Sequence, residues 1–409
     1  MKSVLLMFPI LGMYIFFSVC SIIGYNYGGS ENSSIYMIFM GSIFIGTLAF
    51  ITYKIFIKKI TITIKGIFIL IIPYFMIFSF FINNLLQRNN SITIKNFILF
   101  NIFCIPAMLI GIYIAKGGIF LRLYKTIEVF MLLFSTSVVI TTIKTIASGS
   151  RFSSIGGETY QFASYLAAFS FGLNLYYLIY GCEEFRYKFA SYKLYKIICI
   201  MLLFFQFIAV LITGGRGGFV LIISYIVYIT FTVIKERNIK NIFKYIFISI
   251  IVISIIASII PYLQKGDSFK NSTNRVFSYI SSDGFDFSET NRESVYKEAI
   301  IAIKEKPILG YGIFNWGGNN YPHNIVLEVL LNGGIVYLLS FIIFIIYVLT
   351  KLLKLIKLFS KIRLILIIFM FPLIMLMFSG TYTTNSIFWF CISFICTCKV
   401  NSRKIMKRK

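Results

Sequence analysis

Runs of about 17–25 mostly apolar residues, each long enough to cross a hydrocarbon core of about 30 Å, follow one another along almost the whole chain. They predict about twelve spans: 3–23, 34–57, 66–86, 97–115, 126–147, 160–181, 195–213, 217–234, 242–261, 333–350, 362–380 and 385–400. Lipid offers no water to unpaired backbone groups, so a span of this length must close its hydrogen bonds within itself as a helix. The expected fold is an all-α polytopic membrane protein. Only one connection, 262–332, is long enough to hold structure of its own. The reading is one integral-membrane domain over 1–409 with a long, partly helical extracytoplasmic loop at 262–332. A hydrophobic fraction of 58% and a mean hydropathy of +0.87 fit that reading and leave no room for a soluble enzyme on an anchor.

The formal net charge of +25 would point to nucleic acid if it were spread over a surface. It is not. With the N-terminus inside and alternating spans, 27 of the 39 lysines and arginines fall on cytoplasmic segments, against three acidic residues, Glu183, Glu184 and Glu236. That asymmetry is the positive-inside rule, which places both termini in the cytoplasm; nucleic acid gains no support as a partner, and membrane lipids are the expected surroundings. Met1-Lys2 and the apolar run behind it resemble a signal peptide, but no small-residue cleavage site follows, so the run reads as an uncleaved first span. None of the seven cysteines lies in the 262–332 loop, which therefore has no disulfide framework. Cys396 and Cys398, with no histidine nearby, read as packing residues; no metal site and no cofactor are expected.

The unusual residues collect on the outward-facing connections. Arg151 stands in Ser148-Gly149-Ser150-Arg151, followed by Gly156 and Gly157. Arg216 stands in Thr213-Gly214-Gly215-Arg216-Gly217-Gly218. Bare glycines there let a backbone approach a ligand, and N–H groups at the start of the next helix make an anion-binding concavity. The alternative is a tight hairpin whose arginine snorkels to headgroup phosphates. Arg292 falls in Thr290-Asn291-Arg292-Glu293, a capping-box pattern ahead of Val295, Ala299, Ala302 and Ile303 at helical spacing; Pro307 ends that helix. Gly310, Gly312 and the Gly333-Gly334 pair read as hinges of a loop able to close over a ligand.

His323, in Tyr321-Pro322-His323-Asn324-Ile325-Val326-Leu327-Glu328, is the chain's only histidine. Imidazole is the one side chain that titrates near neutrality unperturbed, so it is a candidate general base; the alternative is a surface histidine of no consequence. Asn324 reads as a helix cap or as a partner holding the imidazole, with capping preferred. Guanidinium groups grip phosphate bidentately. Outward arginines with one histidine therefore suit a glycosyl transfer in which a lipid diphosphate leaves and a sugar hydroxyl attacks.

Thr213-Gly-Gly-Arg216-Gly, Arg292-x-x-x-Tyr296 with Pro307-Ile-Leu-Gly310-Tyr-Gly312, and Pro322-His323-Asn324-x-x-Leu327-Glu328 ahead of Gly333-Gly334 resemble the O-antigen ligase/polymerase superfamily of bacterial polysaccharide assembly. The resemblance implies a metal-independent, inverting glycosyltransferase of the bacterial inner membrane that uses undecaprenyl-diphosphate-linked glycans on its outer face. It casts His323, Arg216 and Arg292 as catalytic, and Arg216, Arg292, Arg151, Gly215 and Gly217 as diphosphate-binding. Asn324, Glu328 and Tyr296 are supporting residues. The chain departs from the pattern after Arg151, where the Asn common in the family is missing, at Gly215, where many members have Ser, and at Tyr337, where Gly is usual.

Within the superfamily the sequence reading prefers a polymerase of O-antigen, capsule or exopolysaccharide repeat units, with a chain-length regulator as an expected partner. The alternative is an O-antigen ligase that hands the glycan to lipid A–core in lipopolysaccharide biosynthesis. Transfer to protein is disfavoured because the chain ends within ten residues of its last span. A lipid-linked glycan flippase is the rival from another class. The spans offer it only Glu128 and Lys144, both read as meeting headgroups, and no inverted repeat is visible.

Overall fold

The structure is a computed structural model that describes residues 2–25, 34–56, 91–148, 154–181, 186–236, 272, 292–313 and 322–399. Among these residues the regular structure is entirely helical. We label the helices α1 (Phe8–Ile22), α2 (Ser34–Phe56), α3 (Ser91–Gly117), α4 (Phe120–Ser148), α5 (Tyr160–Tyr180), α6 (Lys193–Thr213), α7 (Arg216–Glu236), α8 (Arg292–Glu305), α9 (Ile325–Leu358), α10 (Arg363–Phe378) and α11 (Ser386–Thr397). Eight described helices are long and apolar enough to cross a membrane, α10 counting together with the short turn before it, and α1 and α11 are shorter apolar helices. The chain is thus an all-α, multi-pass membrane protein. The expected spans 66–86 and 242–261, and most of the 262–332 loop, lie outside the described residues.

The side-chain distribution follows from lipid as the solvent. Ile38, Ile45, Ile197, Met201 and Ile343 are exposed, whereas Ser18, Ser135, Ser137, Thr142, Asn174, Gln206 and Ser393 are buried. Hydroxyls inside the helices bond back to the preceding turn, as Ser135 does to Met131 O at 2.6 Å and Thr142 to Val138 O at 2.7 Å. Apolar residues outside and polar groups inside invert the pattern of a water-soluble bundle.

The chain divides into two compact units. One holds Met1–Met13, Glu31–Ile127 and Phe287–Lys409; the other holds Tyr14–Ser30 and Glu128–Asp286. In the first, α3 runs along α11 at close approach. A Cβ on Gly111 would lie 2.8 Å from Phe390 O and 3.1 Å from Phe394 N, so only glycine lets these backbones come together. Phe100 on α3 meets Trp389 on α11 edge-on at 5.9 Å. Tyr36 of α2 packs on Phe103 of α3.

The first unit also contains a broken helix. α9 begins at Ile325, eight residues before the expected span, because Asn324 caps it: its Oδ1 accepts the N–H groups of Val326 at 2.9 Å and Leu327 at 3.3 Å. At Gly333 and Gly334 the backbone leaves helical geometry, Gly334 with φ 61° and ψ −161°. Such a break orphans carbonyls before it and N–H groups after it. The strip 307–312 takes up both. Tyr311 N–H donates to Leu331 O at 2.7 Å and Gly312 N–H to Asn332 O at 2.9 Å. Ile335 N–H donates to Pro307 O at 2.9 Å and Val336 N–H to Ile308 O at 3.4 Å. The glycines expected as hinges are therefore the two halves of one backbone clasp. α8, which precedes the strip, matches the predicted amphipathic helix, with Val295 and Ala299 buried and Ile300 exposed.

In the second unit the expectation for Glu128 is corrected. Rather than reaching a headgroup, it is wholly buried and forms an ion pair with Arg186, 7% exposed. The Tyr195 hydroxyl donates to the same carboxylate oxygen at 2.8 Å, and Arg186 stacks over the rings of Tyr177 and Tyr195. A polar ladder continues beside it: Asn174 Nδ2 donates to Cys199 O and to Gln206 Oε1, and Gln206 Nε2 to Ser135 Oγ at 2.7 Å. A buried pair is costly to break by halves, because the remaining charge stays desolvated. Arg186→Ala is therefore expected to destabilise the protein by about 3–5 kcal/mol. The double variant Arg186→Leu, Glu128→Leu should recover most of that loss in thermal unfolding in detergent. Equal stability of Arg186→Ala and wild type would show that the pair is not holding α4 to the connection between α5 and α6.

Candidate functional site

Arg216 is the first residue of α7 and is half-buried. The turn before it is set by glycine: α6 ends at Thr213, and Gly214 caps it in the left-handed region (φ 65°), donating to Leu211 O at 3.2 Å. Gly215 O then accepts the Gly218 and Phe219 N–H groups at 3.1 and 3.3 Å, which starts α7.

The bare Cα positions around Arg216 have a physical answer different from the one expected. A Cβ on Gly215 or Gly218 would run into Ser164 of α5, and one on Gly217 into the Tyr165 hydroxyl. Ser164 Oγ donates to Gly215 O at 3.0 Å. Here glycine serves close helix packing, so the missing side chains of Gly215 and Gly217 leave room for α5.

Arg151 lies outside the described residues. The segment after it is ordered by glycine turns, Gly156 at φ 60° and Gly157 at φ 92°. It leads to Thr159, whose Oγ1 caps α5 by accepting from Phe162 N–H. Arg292 opens α8, as its capping-box pattern predicted, though its side chain and Thr290 are outside the description. Tyr296, one turn on, is half-buried.

His323 is the sharpest feature. It has φ 50°, the only positive φ of a described residue other than glycine. A left-handed residue with a β-carbon costs roughly 1–2 kcal/mol and persists only where its surroundings impose it. They do so here: Pro322 is buried on one side, and on the other Asn324 is committed to capping α9. Asn324 also reaches Met377 O through Nδ2 at 3.4 Å. Capping, the preferred expectation for Asn324, is what the structure shows. The half-buried imidazole is thus displayed from a strained one-residue turn at the amino end of a helix.

Glu328, in the first turn of α9, is 6% exposed and accepts the Thr381 hydroxyl. Thr381 belongs to the short connection 379–385 between α10 and α11. Its Oγ1 lies 2.6 Å from Thr383 Oγ1 and accepts Thr383 N–H at 3.1 Å. Beside it, the Tyr382 hydroxyl accepts from Asn332 Nδ2 at 3.0 Å and lies 3.3 Å from the Tyr337 hydroxyl. The sequence reading missed Thr381, Thr383 and Tyr382; the only signal was a run of hydroxyl residues, Thr381 to Thr384, on a connection expected to face outward. Nearer α8, Tyr311 donates to Glu305 Oε2 at 2.6 Å, and that carboxylate holds the phenol above its ordinary range.

Among the described residues no group of three or more His, Cys, Asp or Glu side chains is placed to hold a metal ion. No curated protein and no solved structure matches the chain. Residues 198–342 match the family model described as O-Antigen ligase. That stretch runs from α6 into α9 and holds Arg216, Arg292, the clasp and the His323 turn. Over that stretch the chain is similar to the O-antigen ligase family.

Proposed function

We propose that the chain is a glycosyltransferase that takes a glycan from an undecaprenyl-diphosphate carrier at the outer face of the bacterial inner membrane. The observation that carries the reading is the single histidine in a left-handed turn, Pro322-His323-Asn324, inside the matched stretch. In the proposed step the acceptor hydroxyl oxygen bonds to the anomeric carbon with inversion. The bond from that carbon to the diphosphate oxygen breaks, its electron pair leaving with the lipid diphosphate. The hydroxyl proton passes to His323. Arg216 and Arg292, with Arg151 as a third candidate, supply the counter-charge to the diphosphate, so that no metal ion is required.

The description of the matched family favours the ligase form, transfer to a separate acceptor such as lipid A–core, over the polymerase form that the sequence reading preferred. The two share every motif named above and differ only in the acceptor. In the polymerase form the acceptor is a second lipid-linked unit and a chain-length regulator is the expected partner. Both forms need 262–332 outside and both termini inside, the arrangement that the lysine and arginine distribution favours.

The deciding experiment supplies purified protein in bilayers with a lipid-diphosphate-linked oligosaccharide and either lipid A–core or further donor. Polyprenyl diphosphate should be released and the glycan should appear on lipid A–core. Growth on the carrier alone would replace the ligase form with the polymerase form, and no release with either acceptor would remove the enzyme reading. Arg216→Lys keeps the charge but loses the planar fork, and should slow release about 10- to 100-fold, the worth of one charge-assisted hydrogen bond pair.

A further inference from the structure

We propose that Glu328 is the positioning residue of His323, and that Thr381 and Thr383 in turn fix Glu328, making a Thr383–Thr381–Glu328–His323 relay in the first unit. The inference deepens the proposed function, and rests on that reading only for its kinetic consequences.

The helix cap supplies the first step. With Asn324 as N-cap, and Glu328 N–H donating to Asn324 O at 2.9 Å as the first full turn closes, His323 is the residue before the cap and Glu328 the fourth residue of the helix. These two positions lie side by side at a capped helix start; when both are apolar they form the hydrophobic staple. Here the same pair of positions holds an imidazole and a carboxylate.

The second step is burial. Glu328 is the only buried carboxylate among the described residues of its unit. A carboxylate taken from water must be answered by donors, and the connection between α10 and α11 sends one.

The third step is proton direction. A threonine hydroxyl has one proton. Thr381 gives its proton to Glu328, so the close contact between Thr381 and Thr383 leaves the Thr383 hydroxyl as donor, alongside the Thr383 N–H. Every proton in this chain points toward Glu328, as suits an ionised carboxylate in the first turn of a helix. Such a carboxylate can accept the second ring N–H of His323. It would fix the tautomer, leave the other nitrogen basic toward the acceptor hydroxyl, and stabilise the imidazolium formed on proton transfer, as in a catalytic triad.

Other described titratable and charged groups stand near this chain: from α3 the Cys104 thiol donates to Thr383 O at 3.2 Å. On α9 and the α10–α11 connection, Tyr337 and Tyr382 bond each other, and Tyr382 also accepts from Asn332. On α8 and after it stand Arg292, Glu293, Tyr296, Lys297, Glu298, Lys304, Glu305, Lys306 and Tyr311, of which Glu305 is engaged by Tyr311. α11 carries no charged residue, and Arg363 lies at the far end of α10.

One histidine in 409 residues makes the test direct. Full-length protein, purified through a tag without histidine and labelled with ¹⁵N-histidine, gives a single imidazole to titrate by NMR. In wild type the neutral ring should hold one tautomer, and in Glu328→Gln the midpoint should fall by about one pH unit or more. Glu328→Asp should restore part of the shift, and Thr381→Val should give an intermediate one. With active protein, Glu328→Gln should lower kcat by about 10²-fold and leave the acceptor KM near wild type. A tautomer mixture in wild type, which requires no variant to fold, would overturn the proposal. So would an unshifted midpoint in folded Glu328→Gln, or a rise in acceptor KM with kcat unchanged, which would make Glu328 a sugar ligand. A shifted midpoint in a protein that releases no lipid diphosphate would leave the pair standing and remove the glycosyltransferase reading instead.

Discussion

His323→Asn is expected to stop glycan transfer while leaving the protein folded. Asparagine tolerates the left-handed backbone that this position adopts, so the turn between Pro322 and the α9 cap should survive. Only the imidazole is lost. General-base assistance is worth about 10²–10⁴-fold, and release of lipid diphosphate should fall by that amount at neutral pH. The thermal midpoint should stay within a few degrees of wild type. His323→Ala should lose the same activity, and His323→Gly should be inactive with the backbone strain relieved. Activity in the asparagine variant should recover partly as pH rises, because a hydroxyl closer to its own ionisation needs less help. Wild-type turnover in His323→Asn would show that the strained turn matters for its shape and not for its base.

Much of the helical framework was legible because a bilayer sets a hard length for an apolar run, and the described helices follow those runs from α1 to α11. The start of α9 was not, because Gly333 and Gly334 look like a boundary. Asn324 ahead of Ile-Val-Leu-Glu was the better signal, and it moves the helix start back to Ile325. The Glu128–Arg186 pair was unreadable for a different reason. Its members are 58 residues apart, and Arg186 was counted among the loop charges that obey the positive-inside rule. Arginine near a membrane end can turn inward when a buried carboxylate answers it, and no periodicity records that choice.

At the candidate site, residue types were legible and their reasons only in part. His323 and Asn324 stand out by rarity and by capping chemistry. The glycines flanking Arg216 also stand out, but sequence does not distinguish a glycine that admits a ligand from one that admits a helix, and Ser164 and Tyr165 fill the space. Thr381 meets Glu328 across 53 residues of chain, a contact that only the packing of α10 and α11 against α9 creates.

The same ambiguity, hinge or clasp, gives a stability effect as large as any expected here. A hinge glycine changed to alanine stiffens the chain and often stabilises it when the backbone is compatible. A clasp glycine does the opposite. Gly334 has φ 61° and ψ −161°, a region open essentially to glycine alone. A Cβ there would also lie 2.6 Å from Pro307 O and run into the Ile308 carbonyl. Both carbonyls are acceptors for the second half of α9, through Ile335 and Val336. Gly334→Ala must therefore strain its own backbone and push away the strip that satisfies the helix break. With about 1–3 kcal/mol for the backbone and a similar overpacking cost, the loss should be roughly 3–5 kcal/mol, a large share of the stability of a typical protein. Gly333→Ala is the control. Its φ of −151° carries no left-handed strain, but a Cβ there would lie 2.4 Å from Tyr337 Cβ, the fixed root of that side chain, so it adds an overpacking cost alone and should lose less than Gly334→Ala. Thermal unfolding of the two variants in detergent, with trypsin cleavage after Lys304 as a local readout, separates the cases. Equal stability of Gly334→Ala and wild type would mean that the strip 307–312 moves freely past α9, as a lid would. A clear order of wild type, Gly333→Ala, Gly334→Ala would mean that the His323 turn is built on a fixed floor.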